Sequence, residues 1–128
     1  MPAKPQHAPA KSTPINYGAK VQTTTPADTS PPVCKEGIKK IQVDVGTFAW
    51  YKQACDTTMS KTLSSIAGRQ AKATESLQDE INHFLNYCHT HPDATVRFLA
   101  SDMNLALQLD GSHLSEPESK SRSAGHIY

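Results

Sequence analysis

Carboxylates, imidazoles and thiols are the groups in this chain able to do chemistry, and few of them stand in a pattern. Asp110-Gly111 follows a run in which Leu105, Leu107 and Leu109 alternate with Asn104, Ala106 and Gln108. That period of two predicts a strand that delivers Asp110 at its end. A carboxylate so placed suits a hard divalent cation. The same Asp-Gly pair is also a turn signal, because Asp bonds the nearby backbone and Gly accepts positive φ. Cys88-His89 and His91 offer further donors, but a structural zinc site needs four ligands at suitable spacing, and no second pair accompanies these three. The bland reading is a buried cysteine on a helical stripe, with histidines near the negative helix end. Ser, His and Asp occur without a nucleophile elbow or ordered triad. No glycine-rich phosphate loop is present. Trp50 and Tyr51 beside Lys52 are able to stack on nucleic acid, yet aromatics at helical spacing predict core positions.

The elements that must carry these groups follow from periodicity. Ile38, Ile41, Val45 and Phe48 recur at three and four residues, predicting a helix from Lys35 to about Ala54. Gly46 lies within it at some cost in propensity, which implies close backbone packing there. Asp56 or Thr57 is placed to cap a second helix with Met59, Leu63 and Ile66 on its buried face and Gly68 weakening its end. Thr74 is placed to cap a third, with Glu75 in its first turn and Leu77, Ile81, Phe84, Leu85 and Cys88 as its stripe, ended by Pro92. Beyond Pro92 the period becomes two, predicting strands over Thr95–Ala100 and Leu105–Asp110. Gly111-Ser112 breaks the second, Ser115–Ser123 reads as a solvated loop, and another strand begins near Ser123. Two or three strands with one apolar face are marginal alone, so the layout reads as part of something larger.

Residues 1–33 hold seven of the nine prolines, a composition suited to an extended or disordered arm. Pro2-Ala3-Lys4-Pro5 is weak as a polyproline ligand. The full chain has 128 residues and a formal charge of +1, with basic and acidic side chains well mixed, so binding to nucleic acid through bulk charge is not expected. Three sparse cysteines (Cys34, Cys55 and Cys88) argue against a disulfide framework and suit a reducing compartment. No apolar run has the length of a membrane span and no apolar leader is visible, so the expectation is an intracellular chain of cytoplasm or nucleus, neither secreted nor membrane-bound.

Three stretches resemble copia-type retrotransposon polyproteins, in the order and spacing of that family. Val45-Gly46-Thr47-Phe48-Ala49-Trp50-Tyr51, followed by Ala54-Cys55-Asp56-Thr57-Thr58-Met59, is similar to the helix and turn downstream of the polymerase palm. Leu85-Asn86-Tyr87-Cys88 with Thr90-His91-Pro92-Asp93-Ala94-Thr95-Val96-Arg97-Phe98 resembles the connecting helix and the strand after it. The most specific likeness joins Ser101-Asp102-Met103, Asp110-Gly111-Ser112-His113-Leu114-Ser115-Glu116-Pro117 and Ser121-Arg122-Ser123-Ala124-Gly125-His126. It looks like the start of the ribonuclease H domain. Tyr17–Gln22 and Asp28–Pro32 are similar to the extended segment before the connecting helices. Departures include His113 in place of an aromatic, Lys120-Ser121 in place of Ala-Arg, Gln108-Leu109 in place of His-Ser, and Lys61, Ser64 and Ser65 in a helix that is more apolar in the family.

The resemblance implies an α+β fold: an arm over 1–33, a helical connection region of reverse transcriptase over 34–94, and truncated ribonuclease H-like strands over 95–128. It implies a parent that copies RNA into DNA and cleaves RNA in RNA–DNA hybrids, using two magnesium ions held by several carboxylates. Asp110 matches the first of those ligands. The others, and the paired aspartates of the polymerase, match nothing in this sequence. The chain is therefore expected to be a fragment that binds no magnesium and is inactive alone. Two other readings stay open: a domesticated, non-enzymatic helical module that binds a protein partner, and a weak nucleic-acid-binding remnant.

Overall fold

The structure, a computed structural model, describes residues 4–12, 28–95, 97, 100, 102–116 and 120–127. It is α+β, and divides into two compact units. The first spans Met1–Thr13 and Ser30–Arg97, the second Pro14–Thr29 and Phe98–Tyr128.

The first unit contains helices α1 (Lys35–Ala54), α2 (Ser60–Arg69) and α3 (Glu75–Thr90), with single 3-10 turns over Thr57–Met59 and Gln70–Lys72 leading out of one helix or into the next. In α1 the expected stripe is the buried one. Ile41 and Val45 are enclosed, and Ile38, Phe48 and Tyr51 pack against the core from the flank. Trp50 departs from the core expectation, being 70% exposed. It lies five residues from Val45, roughly 140° around the helix, on the side away from the core. Gly46 departs too. It is exposed, and a β-carbon there would meet nothing within 4 Å, so no close packing calls for glycine. The glycine that packing does require is Gly37, where a β-carbon would stand 2.1 Å from Val33 Cγ1.

Asp56 caps the turn into α2 by accepting the Thr58 N–H at 3.0 Å. Thr74 caps α3 by accepting the Leu77 N–H. Helix α3 stops at Thr90, two residues before Pro92, and the His91 N–H still bonds the Tyr87 carbonyl at 3.0 Å. Phe84, Ile41, Met59, Leu63, Ile66, Leu77 and Ile81 are fully buried between the helices. Each contributes about 2 kcal/mol by leaving water. Phe48 meets Phe84 edge-to-face at 5.1 Å. Arg69, in the last turn of α2, forms a bidentate pair with Glu80 of α3.

Before α1 the backbone pairs with the segment that precedes α3. Val33 N–H donates to the Ala73 carbonyl at 3.0 Å, and Glu75 N–H donates to Pro31 at 2.9 Å. Residues 4–12 form neither helix nor strand, and several of them make contact with α3.

The second unit contains an antiparallel hairpin of β1 (Leu107–Glu116) and β2 (Lys120–Ile127). Its register corrects two expectations. Gly111-Ser112 does not break β1: the ladder continues through Gly111↔Ser123 and Ser112↔Arg122, and closes at Glu116↔Lys120 after an irregularity. Of the expected loop over 115–123, residues 115–116 and 120–123 belong to strands, while 117–119 lie outside the described residues. Thr95, Arg97 and Ala100 are in no strand; Val96, Phe98 and Leu99 lie outside the described residues, as does Tyr17–Gln22.

Candidate functional site

Asp110 sits inside β1, opposite Ala124 of β2, and is exposed. This differs from the strand-end position that the sequence pattern predicts. The Asp-Gly pair passes through as paired backbone because a ten-residue strand supplies ladder bonds on both sides of it, and these outweigh the local turn preference. The two halves of the most specific family likeness lie across from one another. Asp110 opposes Ala124, Gly111 opposes Ser123, and Ser112 opposes Arg122. Gly125 serves a close approach here, since a β-carbon on it would stand 2.8 Å from Leu109 Cδ2.

Two magnesium ions need several carboxylates converging on them. Asp110 faces a neutral alanine across the ladder. Asp102, the other acidic residue of the strongest likeness with a described side chain, is engaged locally. It accepts the Asn104 N–H at 3.1 Å and the Asn104 amide Nδ2–H at 2.8 Å, bracketing Met103 at φ 66°. Those two hydrogen bonds hold the Asp102 carboxyl below the usual carboxylate range. It is a turn former. Among the described residues no group of three or more His, Cys, Asp or Glu is placed to hold a metal ion. Among the described residues, carboxylates do not converge on Asp110 in the number that two magnesium ions need.

Cys88, His89 and His91 have separate surroundings. Cys88 packs against the core, and burial, with Asp56 adding to it, pushes its thiol up to about 11. A thiol held neutral in this way is a poor nucleophile and a poor metal ligand. His89 is exposed, and the His91 ring meets His7. Trp50 and Tyr51 are likewise divided, Trp50 facing solvent and Tyr51 packing on the core.

A polar tie that the sequence reading missed joins the start of α2 to α3. Asp56 is 5% exposed. Its Oδ1 accepts both the N–H and the hydroxyl of Thr58, at 3.0 and 2.5 Å. The Thr58 hydroxyl also meets the Tyr87 hydroxyl at 3.0 Å, and Tyr87 stands 3.5 Å from Oδ2. This network floors a groove of about 410 Å³ whose rim includes His91 and Asp93. The Asp-x-Thr spacing signals the local half. The partner 31 residues away leaves no local signal.

No helix among the described residues is long and apolar enough to cross a membrane. No protein-family model, curated protein or solved structure matches the chain.

Proposed function

We propose that this chain is a non-catalytic piece of a copia-type retrotransposon polyprotein, its helices bracing the polymerase against the nuclease and its hairpin being the first of the ribonuclease H sheet. The observation that carries this reading is the hairpin register. The segment around Asp110-Gly111-Ser112 and the segment Arg122-Ser123-Ala124-Gly125 resemble neighbouring parts of that domain, and they lie paired across one ladder. Asp110 would be the first carboxylate of the parent's magnesium centre, in the cytoplasm or nucleus, with RNA–DNA hybrid as the parent's substrate. Cleavage requires further carboxylates brought close to Asp110. The test is incubation of the chain with a labelled RNA–DNA hybrid in magnesium or manganese. The expected result is no cleavage above buffer, with Asp110→Asn indistinguishable from the parent chain. Cleavage lost on Asp110→Asn would overturn the proposal.

A second reading, a domesticated helical module that binds a protein partner, is favoured by the self-contained core of the first unit. Among the described residues, its largest fully buried side chains come from α1 to α3 and the turn before α2. Saturable capture of a protein by the whole chain, unchanged by Asp110→Asn, would favour this alternative.

A further inference from the structure

Residues 4–12 read Lys-Pro-Gln-His-Ala-Pro-Ala-Lys-Ser, two lysines and two prolines without an acidic residue. They run along α3 in the direction opposite to the helix. Gln6 N–H donates to Thr90 Oγ1 at 3.0 Å, and His7 Nδ1 meets His91 Nε2 at 3.2 Å. One turn pair further toward the helix start, the His83 Nε2 lies 3.1 Å from the Ala8 carbonyl, and its N–H donates there. Beyond that, Pro9 and Lys11 line a groove of about 500 Å³ with Glu75, Asp79, Glu80 and His83.

The helix reads this segment mainly through its backbone, at the Gln6 N–H and the Ala8 carbonyl. Pro5 and Pro9 flank the contacted residues and hold their own φ near −65°, so little chain entropy is lost on docking. Lys11 lies beside the acidic first turns of α3, where Glu75, Asp79 and Glu80 present three carboxylates. Glu80 is shared with Arg69. Charge complementarity and preset extended backbone are the features by which grooves recognise proline-containing peptides.

We propose that the outer face of α3 is a docking strip for an extended, proline-spaced, lysine-bearing peptide, and that residues 4–12 occupy it in cis. The partner in trans is a peptide of the same chemistry, which must displace the chain's own segment. A tethered occupant competes at an effective concentration on the order of millimolar. Release of the segment therefore governs access. This inference goes beyond the polyprotein reading, and hybrid cleavage does not bear on it.

The test uses the whole chain and a fluorescein-labelled synthetic peptide of residues 4–12, followed by anisotropy. Three proteins are titrated: the parent chain, a His7→Ala/Lys11→Glu chain, and that double variant with Asp79→Lys added. The substituted side chains belong to no part of the buried core, and unchanged helical circular dichroism verifies folding. Removing the His7 ring contact with His91 and reversing the charge at Lys11 weaken the hold of the cis segment, so the peptide binds the double variant at least tenfold more tightly than the parent. Adding Asp79→Lys cancels at least that tenfold gain, and rising salt weakens binding as well. Absence of saturable binding to the double variant would overturn the proposal. So would equal affinity for parent and double variant, or an Asp79→Lys change without effect.

Discussion

Replacing Asp56 by Ala removes the acceptor that holds the entry to α2 and the buried side of Tyr87. The lost cap on the Thr58 N–H, 3.0 Å from Oδ1, costs about 1 kcal/mol. The Thr58 hydroxyl loses a charged acceptor at 2.5 Å, but Thr58 is exposed and water replaces part of that bond. Tyr87 keeps its 3.0 Å contact with Thr58, so its hydroxyl is not orphaned. The remaining loss is about another 1 kcal/mol, for a total near 2 kcal/mol. Asp56→Asn retains a side-chain oxygen for the Thr58 N–H and should lose about half as much. Urea unfolding followed by circular dichroism at 222 nm measures both, with the midpoint falling and the slope unchanged. A double-mutant cycle of Asp56→Ala with Thr58→Ala should show coupling of about 1 kcal/mol. If Asp56→Ala lies within about 0.5 kcal/mol of the parent, or if Asn costs as much as Ala, the carboxylate is not the tie described.

Gly46→Ala places a methyl group in open space on an exposed helical face, so it should stabilise the chain by about 1 kcal/mol; a thermal midpoint that fails to rise would contradict this. Burial holds the Cys88 proton up to about 11 from 9.0 in the folded chain. The unfolded chain releases its proton first as pH rises, so this contribution is fully present below about pH 9 and is lost between 9 and 11. Cys88→Ala should flatten that stretch of a stability-against-pH curve, and the exposed Cys34 should react with a thiol reagent at pH 8 well before Cys88. Phe84→Ala, emptying a fully buried site, should cost about 3–5 kcal/mol in the same urea assay.

The helices were legible because their signals are local and repeated. Thr74 and Asp56 announce helix starts, Pro92 announces a stop, and the three- and four-residue spacing from Ile38 to Phe48 marks the buried side of α1. The same arithmetic contained the correct answer for Trp50, since five residues from Val45 is the wrong angle for the core. Its aromatic character points the other way, and angle decides. The hairpin was only partly legible. Beyond Leu109 its pairs set Asp, Gly, Ser and Glu against Ala, Ser, Arg and Lys, which carry no apolar alternation. Asp-Gly then supplied a turn signal where the ladder in fact continues. The contacts of residues 4–12 were hidden because prolines argue against a helix or strand, not against docking. Extended chain can bind a helix through its backbone, and no side-chain period records that.

The pairing of Val33 with Ala73 and of Pro31 with Glu75 has a consequence for how this chain can vary. It fastens the chain where α1 begins to the place where α2 has ended, so both helices form one excursion with a pinned neck. Lengthening a loop that is already closed costs only about 0.6 kcal/mol per doubling. Extra residues spliced just after α1, at Cys55, would swell the excursion without moving α3, and a backbone cut there would leave two pieces still held at the neck.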